Sequence, residues 1–192
     1  MSRSQEAELA EQAAIAGAKA MLTEIASGRS IVANRKSDFT FVLNLDLASD
    51  AAMRGVLKGA SQNPIVSEED TQSHSLLGSS SPYFLIDPLD GTNNCRRALE
   101  FFGPELRPMQ ENFGPIAGFV ENGIIQCASF VSLTESLVWS AVRGAGCTVT
   151  PLVDKLTSFE KRQFVKSAPS PVLRECGGLF YPGKRGELEL LN

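Results

Sequence analysis

Asp87 and Asp90, two carboxylates three residues apart, are the side chains of this chain best placed for chemistry. The apolar run before them, residues 83–86, predicts a buried strand, and Pro88 predicts that this strand ends near Asp87. A turn at that point would bring both carboxylates to one side, with the Leu89 carbonyl between them. Carboxylate, carbonyl and water oxygens are the ligands that Mg2+ prefers. The pattern therefore predicts a site for a divalent cation.

The two residues that follow are suited to binding phosphate. Gly91 lets a ligand approach the backbone closely, and Thr92 is expected to cap a short helix whose free amide groups attract an anion. A cation site beside a phosphate site indicates metal-assisted phosphate chemistry.

Two segments resemble a known family. Residues 87–92, Asp-Pro-Leu-Asp-Gly-Thr, resemble the signature of the inositol monophosphatase superfamily, whose members are Mg2+-dependent, lithium-sensitive phosphatases. Residues 66–70, Val-Ser-Glu-Glu-Asp, resemble a second family segment, especially that of the nucleotidase-like branch. The resemblance covers residues near 30–147. It implies hydrolysis of a small soluble phosphate ester, an inositol monophosphate or a nucleotide bisphosphate, by metal-activated water. It also implies two or more Mg2+ ions and inhibition by Li+.

The resemblance assigns roles to oxygen donors near these segments. The implied metal ligands are Glu68, Asp87, Leu89 and Asp90. The implied catalytic residues are Thr92, Asp46 and Glu68, and the implied substrate-binding residues are Gly91, Thr92 and Asp90. Thr92 and Asp46 would together polarise the attacking water.

Several of these assignments have alternatives. The carboxylates of the metal set could instead cap strands and helices. Asp46 could cap a helix, and Asp50, one helical turn later, is its rival, because residues 43–46 lack the threonine that is usual in the family. Lys36 matches a family lysine near the site or is a solvated surface charge. The serine-rich segment 73–82 is predicted to be an exposed, mobile loop, and His74, the sole histidine, lies in it and is therefore expected to be exposed.

Periodicity and turn residues predict an α+β fold. It is expected to be a layered α/β sandwich with a largely antiparallel sheet flanked by helices, resembling the N-terminal half of the inositol monophosphatase fold. The predicted helices are residues 4–27 and about 47–60. The predicted strands are residues 39–45, 65–66, 83–86, 113–120, 124–131 and 136–142, with a hairpin turn at Asn122-Gly123.

The chain is predicted to divide near residue 147. Residues 1–147 would form the metal and phosphate domain, and residues 148–192 a shortened, divergent segment with one short helix near 155–164. Family members are longer, and their second half carries a Trp-Asp motif whose aspartate completes the metal site. Here the only tryptophan, Trp139, precedes Ser140 in a strand pattern. The alternative function is therefore a catalytically weak or inactive metal- and phosphate-binding relic of the family.

Composition restricts the class of protein. The chain has 192 residues, of which 43% are hydrophobic, enough to bury a core, and its formal net charge is −4. This charge argues against a nucleic acid polymer or a membrane surface as partner. No apolar run of about 18 residues predicts a membrane span, and the acidic start is unlike a signal peptide. The four cysteines lack paired or zinc-like spacing. We therefore expect a cytoplasmic protein with reduced thiols, a small phosphorylated metabolite as its partner, and an open question over homodimerisation.

Overall fold

The computed structural model describes residues 5–28, 33–35, 41–102, 112–152 and 163–165. The helices are α1 (Gln5–Ala26), α2 (Asn44–Ala60) and α3 (Thr92–Phe102), with a short 3-10 helix at Thr71–Leu76. The strands are β1 (Ala33–Arg35), β2 (Phe41–Leu43), β3 (Ile65–Ser67), β4 (Tyr83–Asp90), β5 (Gly114–Glu121), β6 (Ile124–Ser132), β7 (Leu137–Val142), β8 (Gly146–Pro151) and β9 (Gln163–Val165).

Strands β3 to β9 form one sheet in the order of the sequence, and β1 pairs with β2 separately. In the part of the chain that the structure describes, β3 and β4 are parallel, and each later pair in the sheet is antiparallel. The turn between β5 and β6 places Asn122 and Gly123 at φ values of 53° and 70°. Both values lie in the left-handed region that such a two-residue hairpin requires. The predicted fold class and this hairpin are confirmed.

Helices α1 and α2 pack together on one face of the sheet. Their crossing is close at Gly17, where an added Cβ would lie 2.5 Å from the Ser49 hydroxyl oxygen of α2. Successive side chains along each strand point to opposite faces of the sheet. Phe84 and Ile86 of β4 therefore join the helices in the main core. The alternate residues of β4, among them Tyr83, face the opposite side of the sheet, where a smaller apolar cluster forms around Tyr83.

A buried polar contact joins α1 to the sheet. The Ser140 hydroxyl of β7 donates a 2.6 Å hydrogen bond to the carboxylate of Glu11, which is 6% exposed. Ser140 also shares a 3.0 Å hydrogen bond with Ser129 of β6. Because buried polar groups need partners, this contact favours one placement of α1 on the sheet.

Four local predictions differ from the structure. Helix α2 begins at Asn44, before the predicted start, since β2 is short and the chain turns directly into the helix. The segment 73–82, predicted as an exposed mobile loop, begins inside the 3-10 helix. Strand β4 continues to Asp90 and does not end near Asp87. Strand β9 contains the last two residues of the helix predicted at 155–164. The rest of that predicted helix lies outside the described residues, as does Lys36. Strand β8 spans residues 146–151, and the division of the chain near residue 147 stays a prediction.

Candidate metal and phosphate site

A β-bulge in β4 places the two aspartates of the site. Asp87 pairs with Ile116 of β5, whereas Asp90 pairs with Gly114, so three steps along β4 match two along β5. Residues three apart in a regular strand face opposite sides, but one extra residue returns the second side chain to the face of the first. Pro88 lies inside the bulge, where its missing N–H costs no ladder hydrogen bond. The bulge therefore brings Asp87 and Asp90 to one side of β4, which the sequence analysis expected a turn to do.

Glycines allow the backbones to meet at this bulge. Gly91 has a φ of +79°, and a Cβ there would lie 2.9 Å from the Asn112 carbonyl oxygen. Gly114 has a φ of +154°, and a Cβ there would lie 1.8 Å from the Val131 carbonyl oxygen. No side chain fits at either position without a shift of the neighbouring backbone. Asn94 of α3 donates a 2.9 Å hydrogen bond to the Asn112 carbonyl, which holds the start of α3 against the start of β5.

The peptide between the aspartates is held by two local hydrogen bonds. The Leu89 amide donates to Asp87 Oδ1 at 3.0 Å, and the Thr92 hydroxyl donates to the Leu89 carbonyl at 3.1 Å. The Gly91 carbonyl accepts the first helical hydrogen bond, from the Cys95 amide at 3.0 Å, so Thr92 is the first residue inside α3 and does not occupy the predicted capping position. A carbonyl oxygen accepts at two positions, so the Leu89 oxygen keeps one for a cation.

Glu68 lies beside Asp87 because β3 runs parallel to β4. Ser67 is the register partner of Ile86, and the Glu68 amide donates to the Ile86 carbonyl at 3.2 Å. The Glu68 side chain lies close enough to Asp87 to raise the pKa of that carboxyl group. The two elements thus bring together carboxylates from both sequence segments.

The crowding of these carboxylates changes their protonation. Burial, followed by the charges of Glu68 and Asp90, raises the pKa of Asp87 from 3.8 to about 8, although its hydrogen bond from Leu89 acts in the opposite direction. Burial and the charge of Glu68 also raise the pKa of Asp90. Asp90 is more exposed, so water screens part of this effect. A proton or a cation at Asp87 relieves the repulsion.

Asp46 lies near the start of α3. It belongs to the first turn of α2 and is 2% exposed. Burial, and next the charge of Asp46, raise the pKa of Cys95 to about 12, which places Asp46 close to this thiol. Cys95 follows Thr92 by three residues in α3, so the two share one face of that helix. Asp46 therefore approaches the side of α3 that carries Thr92.

Asp50, the rival of Asp46, is engaged elsewhere. Its carboxylate accepts a 2.5 Å hydrogen bond from the Ser67 hydroxyl and a 2.7 Å ion pair from Arg54. Arg54 also contacts Asp70 at 3.2 Å. These contacts secure the turn that carries Glu68.

The contact of His74 with Ser67 was not predicted from the sequence. It is partly buried, and its Nε2 lies 2.9 Å from the Ser67 carbonyl oxygen, next to Glu68 along the chain. The expectation of an exposed histidine is therefore wrong. The segment predicted as a loop gave no sequence signal for this contact, which forms only when the 3-10 helix folds against β3.

An apolar cavity of about 350 Å³ opens beside the carboxylates on the face of the sheet opposite α1. Glu68, Asp87 and His74 lie on its lining, which is otherwise mostly aliphatic. Two of its lining residues, Leu77 and Ile125, are 50% and 56% exposed.

The residues that the structure describes contain no group of three or more His, Cys, Asp or Glu side chains arranged to hold a metal ion. The predicted ligand set of Glu68, Asp87, Leu89 and Asp90 therefore stays a prediction. The donors still suit Mg2+, which commonly uses one or two protein carboxylates and completes its shell with water and substrate phosphate. Asp87 and Glu68, which lie close together, are such a pair.

Comparison with known proteins decides the family. Residues 2–170 match the sequence model of the inositol monophosphatase family. The chain belongs to that family. The predicted resemblance is confirmed, and the match extends beyond residue 147 into β8 and β9.

Solved structures of the family share the fold. The extragenic suppressor protein suhB from Bartonella henselae has a TM-score of 0.59 and 19% identity over 74% of this chain and 51% of its own. CysQ from Bacteroides thetaiotaomicron has a TM-score of 0.58 and 17% identity over 85% of this chain and 58% of its own. An IMPase from Thermotoga maritima has a TM-score of 0.56 and 20% identity over 74% of this chain and 50% of its own.

The chain thus spans about half the length of the solved family members that it matches. No match was found among curated proteins. None of the helices in the described ranges is long and apolar enough to cross a bilayer.

Proposed function

We propose that this family member is a Mg2+-dependent phosphomonoesterase that hydrolyses a small phosphate ester with a metal-activated water. The observation that carries the proposal is the bulge in β4. It turns Asp87 and Asp90 to one side, next to Glu68 and directly before the first turn of α3.

Glu68, Asp87, Asp90 and the Leu89 carbonyl would hold the cation. When bound, Mg2+ would neutralise phosphate charge and lower the pKa of the attacking water. An IMPase/NADP phosphatase with a TM-score of 0.52 and 15% identity to this chain was solved with Mg2+ and phosphate. A staphylococcal inositol monophosphatase, with a TM-score of 0.54, was solved as an inhibitory complex soaked in LiCl. These structures support a Mg2+ cofactor, with Li+ as an inhibitor, and the number of ions stays a prediction.

The remaining residues would act on the phosphate and the water. Gly91 leaves the backbone open at the start of α3, whose first amides have no partner within the helix and favour an anion. Thr92 lies on the side of α3 that the buried carboxylate of Asp46 approaches. There the two side chains would orient the water. The carboxylate of Asp46 is buried and acts on Cys95 of α3, so we assign this role to Asp46.

The substrate is proposed by class. Inositol monophosphates and nucleotide bisphosphates both fit a site that recognises phosphate through a cation and backbone amides. The solved proteins that are similar to this chain include both an IMPase and CysQ. A small phosphorylated metabolite is therefore the proposed partner, whereas a homodimer and a cytoplasmic location stay predictions.

Phosphate release from a panel of inositol monophosphates and nucleotide bisphosphates tests the proposal. We expect release that requires Mg2+ and falls by more than about 100-fold in Asp90→Asn, because loss of an outer-shell partner alone typically costs 10- to 100-fold. Glu121→Gln is the matched control, since Glu121 is exposed at the opposite end of β5. Equal release from Asp90→Asn and the parent protein would contradict the assigned site.

A metal- and phosphate-binding relic is the second candidate. It is favoured by the lack, among the described residues, of a group of three or more His, Cys, Asp or Glu side chains arranged to hold a metal ion. This candidate predicts no release from any ester of the panel, together with a Mg2+-dependent rise in the unfolding temperature. Such a rise reports binding to the folded state and does not need turnover.

A further inference from the structure

We propose, on the basis of the function proposed above, that His74 is a positioning residue that holds the backbone at Ser67 so that Glu68 faces Asp87 and can share a cation with it. His74 acts together with Ser73, from the same 3-10 helix, and with Asp50 of α2. None of these residues belongs to the two segments that identify the family.

The need for such support follows from the pairing of β3. This strand has three residues and is the first in the order of the described sheet, with β4 as its neighbour. The Glu68 amide donates to the Ile86 carbonyl, and the Phe84 amide donates to the Pro64 carbonyl. Backbone groups alternate in direction along a strand, so those of Ser67, between these bonded residues, point away from β4.

The 3-10 helix bonds both outward groups of Ser67, and the Ser67 carbonyl also accepts a 3.1 Å hydrogen bond from the Asp70 amide in the turn before that helix. The Ser67 amide donates to the Ser73 hydroxyl oxygen at 3.1 Å, and His74 Nε2 lies 2.9 Å from the Ser67 carbonyl oxygen. A carbonyl only accepts, so Nε2 must carry the hydrogen. Ser73 is held in turn, because its hydroxyl donates to the Asp70 carbonyl at 2.5 Å.

The Ser67 side chain is held from the helical layer. It is 0% exposed, and its hydroxyl donates to Asp50 while it accepts a 3.3 Å hydrogen bond from the Glu69 amide. The backbone and side chain of Ser67 are thus bonded to α2, to the 3-10 helix and to the following turn. Glu68 is the next residue, so its direction depends on these contacts.

Two substitutions at one position test this role. His74→Phe keeps a ring of similar size and removes the donor, whereas His74→Gln keeps an N–H donor in place of Nε2. Ser75→Ala is the matched control, because Ser75 is exposed on the same 3-10 helix and its hydroxyl contacts the nearby Gln72 carbonyl.

Binding of Mn2+, followed by the loss of the free-ion electron paramagnetic resonance signal, is the first measurement. We expect His74→Phe to weaken Mn2+ binding by about fivefold to tenfold, the effect of losing one hydrogen bond. We expect His74→Gln and Ser75→Ala to stay within about twofold of the parent protein. Equal weakening in the Phe and Gln variants, or none in either, would overturn the proposal.

Hydrogen exchange of the metal-free protein is the second measurement and does not depend on a cation. His74→Phe should speed exchange of the amides of residues 66–69 by about fivefold to tenfold and leave α1 unchanged. Unchanged exchange at these amides would overturn the positioning role. Faster exchange in His74→Phe, with no Mn2+ bound even by the parent protein, would instead refute the cation site of the proposed function and leave the contact with Ser67 established.

Discussion

Replacing Asp87 by Asn should stabilise the metal-free protein at alkaline pH. In the folded protein the pKa of Asp87 is raised from 3.8 to about 8, first by burial and then by the charges of Glu68 and Asp90. The folded state therefore holds a proton that the unfolded chain releases near pH 4. The stability that this proton supplies is complete below pH 4 and is lost as the pH rises towards 8. Asparagine resembles the protonated carboxyl group, so it should not show this loss.

The size of the effect follows from the shift. One pKa unit corresponds to about 1.4 kcal/mol, so a shift from 3.8 to about 8 sets an upper limit of roughly 6 kcal/mol. Asp87 is only partly buried, and water and local relaxation reduce this value, so we expect on the order of 3 kcal/mol at pH 8. For a chain of this size, that corresponds to a rise of roughly 6 to 12 °C in the unfolding temperature.

Thermal unfolding followed by circular dichroism between pH 5 and 8.5, with EDTA present, measures this difference. The unfolding temperature of Asp87→Asn should exceed that of the parent protein at pH 8, and the gap should narrow towards pH 5. Adding Mg2+ should stabilise the parent protein more than the variant, because the cation offsets the repulsion between the Asp87 and Glu68 carboxylates. A gap that is constant with pH, as Glu121→Gln is expected to give, would refute the reasoning.

Two further predictions concern the support of the site. Gly114→Ala should lower the free energy of unfolding by about 3 kcal/mol or more, because its Cβ would lie 1.8 Å from the Val131 carbonyl oxygen. Chemical denaturation measures this loss of stability. Gly59→Ala, in an open part of α2, is the control and should be neutral or slightly stabilising. Equal effects of the two substitutions on the free energy of unfolding would contradict the packing described. Burial, with the charge of Asp46, raises the pKa of Cys95 to about 12, so a thiol reagent at pH 8 should modify the partly exposed Cys147 of the native protein well before Cys95. Peptide mass mapping distinguishes the two cysteines, and early labelling of Cys95 would contradict its burial.

Much of the fold was predictable because its signals are local. The alanine-rich periodicity of α1, the left-handed pair at Asn122-Gly123 and the apolar run before Asp87 each depend on residues close in the chain. Strand β9 was missed, because three residues of polar and apolar sequence carry no distinct pattern and form a strand only by pairing with β8. The start of α2 was also misplaced, because residues 44–45, which were predicted as the end of a strand, belong to the helix.

The sequence by itself determined the family and the chemistry of the candidate site. Asp87, Asp90, Gly91 and Glu68 lie in short motifs whose residue types carry that information without a fold. The tertiary structure decided how these groups meet. The bulge opposite Gly114 sets the direction of Asp90. Only the parallel pairing of β3 with β4 brings Glu68 against Asp87, and the pKa of Asp87 is raised by burial and then by the charge of Glu68.

Tertiary structure also bonded Asp50 to Ser67 and placed His74 at the Ser67 carbonyl. In each case the deciding contact joins elements that are distant in sequence or held together by packing: Asp50 bonds across to β3, and Asp46 acts on Cys95 of α3. A sequence motif specifies which groups are present. Their distances, burial and protonation arise only when the sheet and helices have assembled, because electrostatic and hydrogen-bond energies depend on the geometry and solvent exposure of the folded chain.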